Sequence, residues 1–106
     1  MKELKQVLFF RQSIRKLERN HGKFTEMEVH VLILINIMNA EYETCTSKKL
    51  FERLAPLGRT AKKKRLLAVI RNFMVDQMIV KRGSKIYMGI RGTCFLSDLN
   101  KHLGNL

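Results

Sequence analysis

RTAKKKRLLAVIRNFMVDQMIVKRGSKIYMGI, Arg59 to Ile90, changes hydrophobic period half-way along its length. Its first half carries Leu66, Leu67, Val69, Ile70, Phe73 and Met74 at the three-to-four-residue spacing of an amphipathic helix. Beyond Val75 the apolar residues fall into two short strand-like runs, Met78 to Lys81 and Lys85 to Ile90, around Gly83-Ser84. Glycine at the first central position suits a type II′ two-residue turn, whose twist matches a pair of antiparallel strands. The stretch therefore reads as a helix starting around Arg59 or Thr60 and running to Val75, followed by a basic hairpin.

Upstream, Leu4, Val7, Leu8, Ile14 and Leu17 recur at helical spacing over residues 2–20, and His21-Gly22 is the expected stop. Thr25 and Glu28 make a capping box, with Phe24 and Val29 placed to staple across it, so a second helix begins there and reaches Met38. Val29 to Met38 is apolar on nearly every face, the signature of a helix surrounded by neighbours. Asn39 to Thr44 reads as a polar loop. Thr46 or Ser47 then caps a short third helix, SKKLFERL, which stops near Leu54 because Ala55 precedes Pro56. Downstream of the hairpin, Thr93 is placed to cap a last helix, CFLSDLNKHL, with Phe95, Leu96, Leu99 and Leu103 on its apolar face and Gly104 after it.

A short helix, a Gly-containing turn, a longer helix and a hairpin make the helix-turn-helix plan with a wing appended. The layout from Phe24 to Leu103 resembles a winged-helix DNA-binding domain and is similar to the MarR-type transcription regulators. TSKKLFERL stands where that family has the first helix of the motif. RTAKKKRLLAVIRNFMVDQMI resembles the recognition helix and the approach to the wing, and GIRGTCFLSDL the exit strand and following helix. The Gly83-Ser84 wing tip departs from the family in lacking its Asp-x-Arg element. The expected fold is mainly α (α+β): one domain over residues 1–106, a helical bundle with one short β-hairpin wing. The resemblance also implies that the N- and C-terminal helices of two subunits pack together.

Helical geometry at 100° per residue places Ala61, Lys64, Arg65, Ala68, Arg71 and Asn72 opposite the apolar arc of the long helix. Arginine and lysine suit guanine, asparagine suits adenine, and alanine permits close approach to a major groove. Lys62 and Lys63 lie toward the apolar side near the helix start and are assigned to phosphates. An isolated KKKR run is usually a solvated face or a chance match to a nuclear-import tag, but here the charge is segregated. Residues 59–91 hold ten cations and one acid, a net +9, whereas residues 25–58 carry a net −2. Lys81, Arg82 and Lys85 sit at the hairpin tip, and Lys48 and Lys49 at the start of the third helix, where phosphates bind. The candidate DNA-binding set is Lys48, Lys49, Arg59, Thr60, Lys62, Lys63, Lys64, Arg65, Arg71, Lys81, Arg82 and Lys85.

Over the whole chain, 106 residues with 45% hydrophobic and 28% charged side chains match an ordinary globular domain, but the net charge of +12 favours a polyanionic partner. The longest strictly apolar run, Val31 to Ile35, is far short of the roughly 20 residues that cross a bilayer. No membrane partner is expected, and the protein reads as cytoplasmic and nucleoid-associated. Cys45 and Cys94 are too few for a disulfide framework and read as small buried hydrophobes. No metal-ligand spacing joins them to His21, His30 or His102, and no phosphate loop or nucleophile triad is present. No cofactor, metal or enzymatic activity is expected, and no residue set points to a small-molecule effector. Leu4, Val7, Leu8, Leu99 and Leu103 form the candidate homodimer interface, because they are more apolar surface than a three-helix core covers. The sequence-level reading is a dimeric transcriptional regulator that binds duplex DNA. The alternative is an accessory or architectural nucleic-acid protein, for example of a mobile element, that binds without regulating a promoter.

Overall fold

A computed structural model describes residues 2–54 and 63–104, with side chains from Leu8 onward. In chain order these form α1 (Lys2–His21), α2 (Glu26–Ala40), α3 (Ser47–Leu54), α4 (Lys63–Val75), β1 (Ile79–Arg82), β2 (Lys85–Met88) and α5 (Ile90–Gly104). The architecture is mainly helical with one two-stranded antiparallel hairpin, an α+β arrangement consistent with a winged-helix-like layout. The expected turn Ala55-Pro56-Leu57-Gly58 and the expected start of α4 at Arg59 or Thr60 lie outside the described residues.

Local chemistry explains the helix ends. At the start of α2 the Thr25 N–H donates to Glu28 Oε1 at 3.0 Å and the Glu28 N–H donates to Thr25 Oγ1 at 3.2 Å, closing the capping box. Phe24, just outside it, lies with its ring centroid 4.9 Å from Phe95 and 6.0 Å from Phe73, so it ties α2 to α5 and α4. Val29, Val31, Leu32, Ile35 and Met38 are all fully buried, as a helix with neighbours on most sides requires. For α3 the cap is Thr46, whose Oγ1 accepts from the Lys49 N–H at 3.3 Å.

Both α2 and α4 end in Schellman motifs. In α2 the Glu43 N–H reaches Met38 O at 2.8 Å and the Tyr42 N–H reaches Asn39 O at 3.2 Å. In α4 the corresponding bonds run from Met78 N–H to Phe73 O at 2.8 Å and from Gln77 N–H to Met74 O at 3.2 Å. Each motif needs one left-handed residue, and these are Tyr42 at φ 56° and Gln77 at φ 62° rather than glycine. Helix α2 accordingly runs two residues past Met38, the expected end, and Asn39 belongs to its last turn instead of a loop.

The hairpin pairs Ile79 with Met88, Val80 with Tyr87, Lys81 with Ile86 and Arg82 with Lys85. Gly83 alone of the two turn residues has positive φ, 62°, which is the type II′ pattern. Its root is held from outside by three bonds. The Ile86 N–H donates to Cys45 O at 2.9 Å, Asn39 Nδ2 donates to Ile86 O at 3.2 Å, and the Met88 N–H donates to Asn39 Oδ1 at 2.9 Å. The Asn39 side-chain amide and the Cys45 carbonyl together thus stand in for a strand on the free edge of β2.

Helix α5 begins at Ile90, three residues before the expected cap at Thr93, and Ile90 is a helical residue, not a strand one. Gly92 is a buried helical residue: a Cβ there would lie 2.2 Å from Met78 O. The glycine is present so that the first turn of α5 can cross the start of β1. One core then gathers side chains from Ile14 in α1 through Phe73 in α4 to Leu99 in α5. The second half of α1 folds back on its own domain: Ile14 and Leu17 are buried, Phe10 stacks on His30 at 5.5 Å, and His21 Nε2 pairs with Asp98 Oδ2 at 2.7 Å. Arg11 pairs with Glu26 on the same side.

Candidate nucleic-acid interface

On α4, Leu66, Val69, Ile70 and Phe73 are between 1% and 8% exposed, a single stripe at i, i+3, i+4 and i+7. Burying four such side chains stabilises the helix position by about 1.5–3 kcal/mol each. Leu67 and Met74, expected on the same arc, are 39% and 41% exposed. They share an i, i+7 row at the margin of the stripe, and the covered arc is narrower than the spacing implied. Opposite it, Lys64, Arg65, Ala68, Arg71 and Asn72 are exposed as expected. Lys63, expected toward the apolar side, is also exposed.

The hairpin projects from the core because only its root is packed. Ile79 and Ile86 are buried, while Lys81, Arg82 and Lys85 at the tip are exposed. Asn39 fixes that root, a role invisible in sequence because its partners, Ile86 and Met88, stand 47 and 49 residues away. In the first turn of α3, Lys48 is exposed and Lys49 half-buried. Neither α3 nor the described part of α4 has an acid in its first turn, whereas α2 has Glu26 and Glu28 there. Cations at the positive end of a helix dipole are unfavourable by about 0.3–1 kcal/mol each, an imbalance that an arriving anion reverses.

The ion pairs of the described residues are Arg11–Glu26 and Arg53–Glu43, and His21 is hydrogen-bonded to Asp98. None involves Lys48, Lys49, Lys63, Lys64, Arg65, Arg71, Lys81, Arg82 or Lys85. Arg91 differs from the other cations of the basic segment: its guanidinium donates to Asp76 O at 3.2 Å and braces the α4–β1 turn against α5. Arg59, Thr60 and Lys62 lie outside the described residues.

Two further expectations, for Leu99 and Cys94, are corrected. Leu99, expected at a dimer interface, is 2% exposed and packs in the protomer's own core, because it lies four residues from Phe95 on the same buried face of α5. Leu103 is partly buried against that core, Leu8 is 47% exposed, and the side chains of Leu4 and Val7 lie outside the described set. Of the cysteines, Cys45 is buried as expected, and burial followed by the nearby Glu43 carboxylate pushes its thiol up to about 11. Cys94 is exposed on α5.

Among the described residues no helix is long and apolar enough to cross a membrane. Compared with models of known protein families the chain matches none, and no curated protein matches it either.

Proposed function

We propose that this protein binds duplex DNA through α4, the hairpin and the start of α3, acting as a MarR-like, homodimeric transcriptional regulator. The observation that carries the proposal is the nine-cation surface on those three elements, of which none is neutralised by an ion pair within the described residues. Such a surface favours a polyanionic partner such as the phosphates of nucleic acid. Duplex DNA is favoured over an acidic protein by the face of α4: Ala68 leaves room between Arg65, Arg71 and Asn72 for base edges to approach. Arg65 and Arg71 are assigned to bases, and Lys48, Lys49, Lys63, Lys81, Arg82 and Lys85 to phosphates. Lys64 shares the base-facing arc. Leu8, exposed on α1, supports dimer formation, and a cytoplasmic, nucleoid-associated location follows from the DNA reading. The proposed role is binding, with no catalysis and no cofactor.

Selection of sites from random duplex DNA tests the proposal. It predicts enrichment of one two-fold-symmetric sequence with half-sites about 34–36 Å apart. Binding without enrichment would make the protein an architectural nucleic-acid binder, and indifference to all DNA would point to an acidic protein partner instead.

A further inference from the structure

Tyr42 occupies the left-handed C′ position of the Schellman motif that ends α2, at φ 56°. Glycine or asparagine fills that position at least cost, and a bulky residue there is strained. Strain of this kind is normally offset by packing, yet the Tyr42 side chain is 98% exposed. Among the described residues nothing packs on the Tyr42 ring to offset that strain.

Tyr42 shares a cavity with a second tyrosine. Tyr42 and Tyr87 both line a cavity of about 310 Å³ at the outer edge of β2, together with Lys85 and Asn39, at the low end of the roughly 300–1,000 Å³ typical of ligand clefts. Glu43 also lines it, but its carboxylate is held by Arg53. Burial, followed by the nearby Glu43 carboxylate, pushes the Cys45 thiol up to about 11, so it carries no charge near neutral pH. Among the described residues, Lys85 is therefore the cavity's uncompensated charge. Tyr87 is 42% exposed and faces Val80, 45% exposed, across the hairpin, and the next pair on the same face is Arg82 with Lys85. The outer face of the wing thus runs from an aromatic and aliphatic root to a cationic tip.

Aromatic rings beside unpaired cations are what unpaired nucleic-acid strands use: bases stack on the rings while phosphates lie on the cations. We infer that the Tyr42–Tyr87–Lys85 cavity at the wing root is a platform for unpaired bases of a DNA strand. A paired base in duplex DNA keeps its faces stacked on its neighbours, so this site takes strand ends, gaps or melted segments. The choice of DNA over RNA rests on the duplex reading above, because the deep, narrow major groove of A-form RNA does not admit a helix such as α4.

The chain has two tyrosines and no tryptophan, so its intrinsic fluorescence comes from this site alone. Four ligands separate the outcomes: a blunt duplex, the same duplex with a ten-thymidine overhang, ten-residue oligothymidylate alone and ten-residue oligouridylate alone. The inference predicts that the overhang quenches tyrosine emission and raises affinity about tenfold over the blunt duplex, a stacking contribution of ordinary size. Tyr87→Ala and Tyr42→Gly should abolish that advantage and leave blunt-duplex affinity unchanged. Tyr42→Gly should also keep or raise the melting midpoint, since glycine relieves the left-handed strain, which separates loss of stacking from loss of fold. Equal affinity for blunt and overhanging duplexes, with no quenching, overturns the platform. Quenching by oligothymidylate without any binding of blunt duplex supports the platform and refutes the duplex reading. Tighter binding of oligouridylate than of oligothymidylate overturns the assignment to DNA.

Discussion

Replacing Asn39 by alanine removes two hydrogen bonds at once, from Nδ2 to Ile86 O at 3.2 Å and from the Met88 N–H to Oδ1 at 2.9 Å. Both are half-buried, so the stranded backbone groups regain only part of their hydration. At about 1 kcal/mol for each bond the variant should lose about 2 kcal/mol, a sizeable part of the roughly 5–15 kcal/mol by which such domains are stable. At about 4–8 °C per kcal/mol the melting midpoint should fall by roughly 8–16 °C. Urea unfolding measures the loss, and hydrogen exchange localises it: the Met88 amide should lose protection, while the Ile86 amide, bonded to Cys45 O at 2.9 Å, should lose less. Asn39→Asp retains an acceptor for Met88 but turns a second carboxylate oxygen on the Ile86 carbonyl, so at neutral pH it should be at least as damaging as alanine. A stability change in Asn39→Ala below about 0.5 kcal/mol, the range of ordinary surface substitutions, with unchanged Met88 protection, would refute the account of how the wing is anchored.

Three other outcomes follow from the same structure. Arg65→Ala should relax preference at one base position at a cost of about 1–3 kcal/mol, whereas Lys85→Ala should weaken specific and scrambled duplexes by equal factors; competition titrations compare the two. If Leu8 and Leu103 contribute to a dimer, changing both to Glu should give a monomer in analytical ultracentrifugation and weaken binding to a two-half-site duplex. A wild-type monomer at tens of micromolar, a concentration at which obligate dimers persist, removes that part of the proposal. A thiol reagent at pH 8 should modify only Cys94 quickly, with Cys45 reacting on unfolding, because burial holds its thiol near 11 and a neutral thiol is unreactive.

How much of this was legible in sequence depends on how far each determinant reaches. The Thr25–Glu28 capping box and the Gly83 turn are decided within four residues, and both stand where the spacing put them. The alternation around Gly83-Ser84 found the hairpin to within a residue or two of its strand ends. The role of Gly92 carried no local signal, because it is set by Met78 O, fourteen positions earlier, and a glycine chosen for close approach looks in sequence like any other. Leu99 was given to a partner subunit because composition does not show that α1 and α5 already cover each other. Asn39, Tyr42 and Gln77 could not be read at all: two are left-handed residues without glycine, and the third bonds across nearly half the chain. The basic face was legible because charge segregation is a property of composition along the chain, although only folding shows that Arg91 is bonded into the α4–β1 turn.

The most direct test of the central claim is the salt dependence of duplex binding, measured from low to moderate salt with a blunt duplex. If about six to eight cations of α3, α4 and the hairpin meet phosphates, log K should fall against log salt with a slope of about −5 to −7. Alanine at Lys81 or Lys85 should reduce that slope by about one unit each. A slope near −1, unchanged by those substitutions, contradicts the assignment of this surface to DNA.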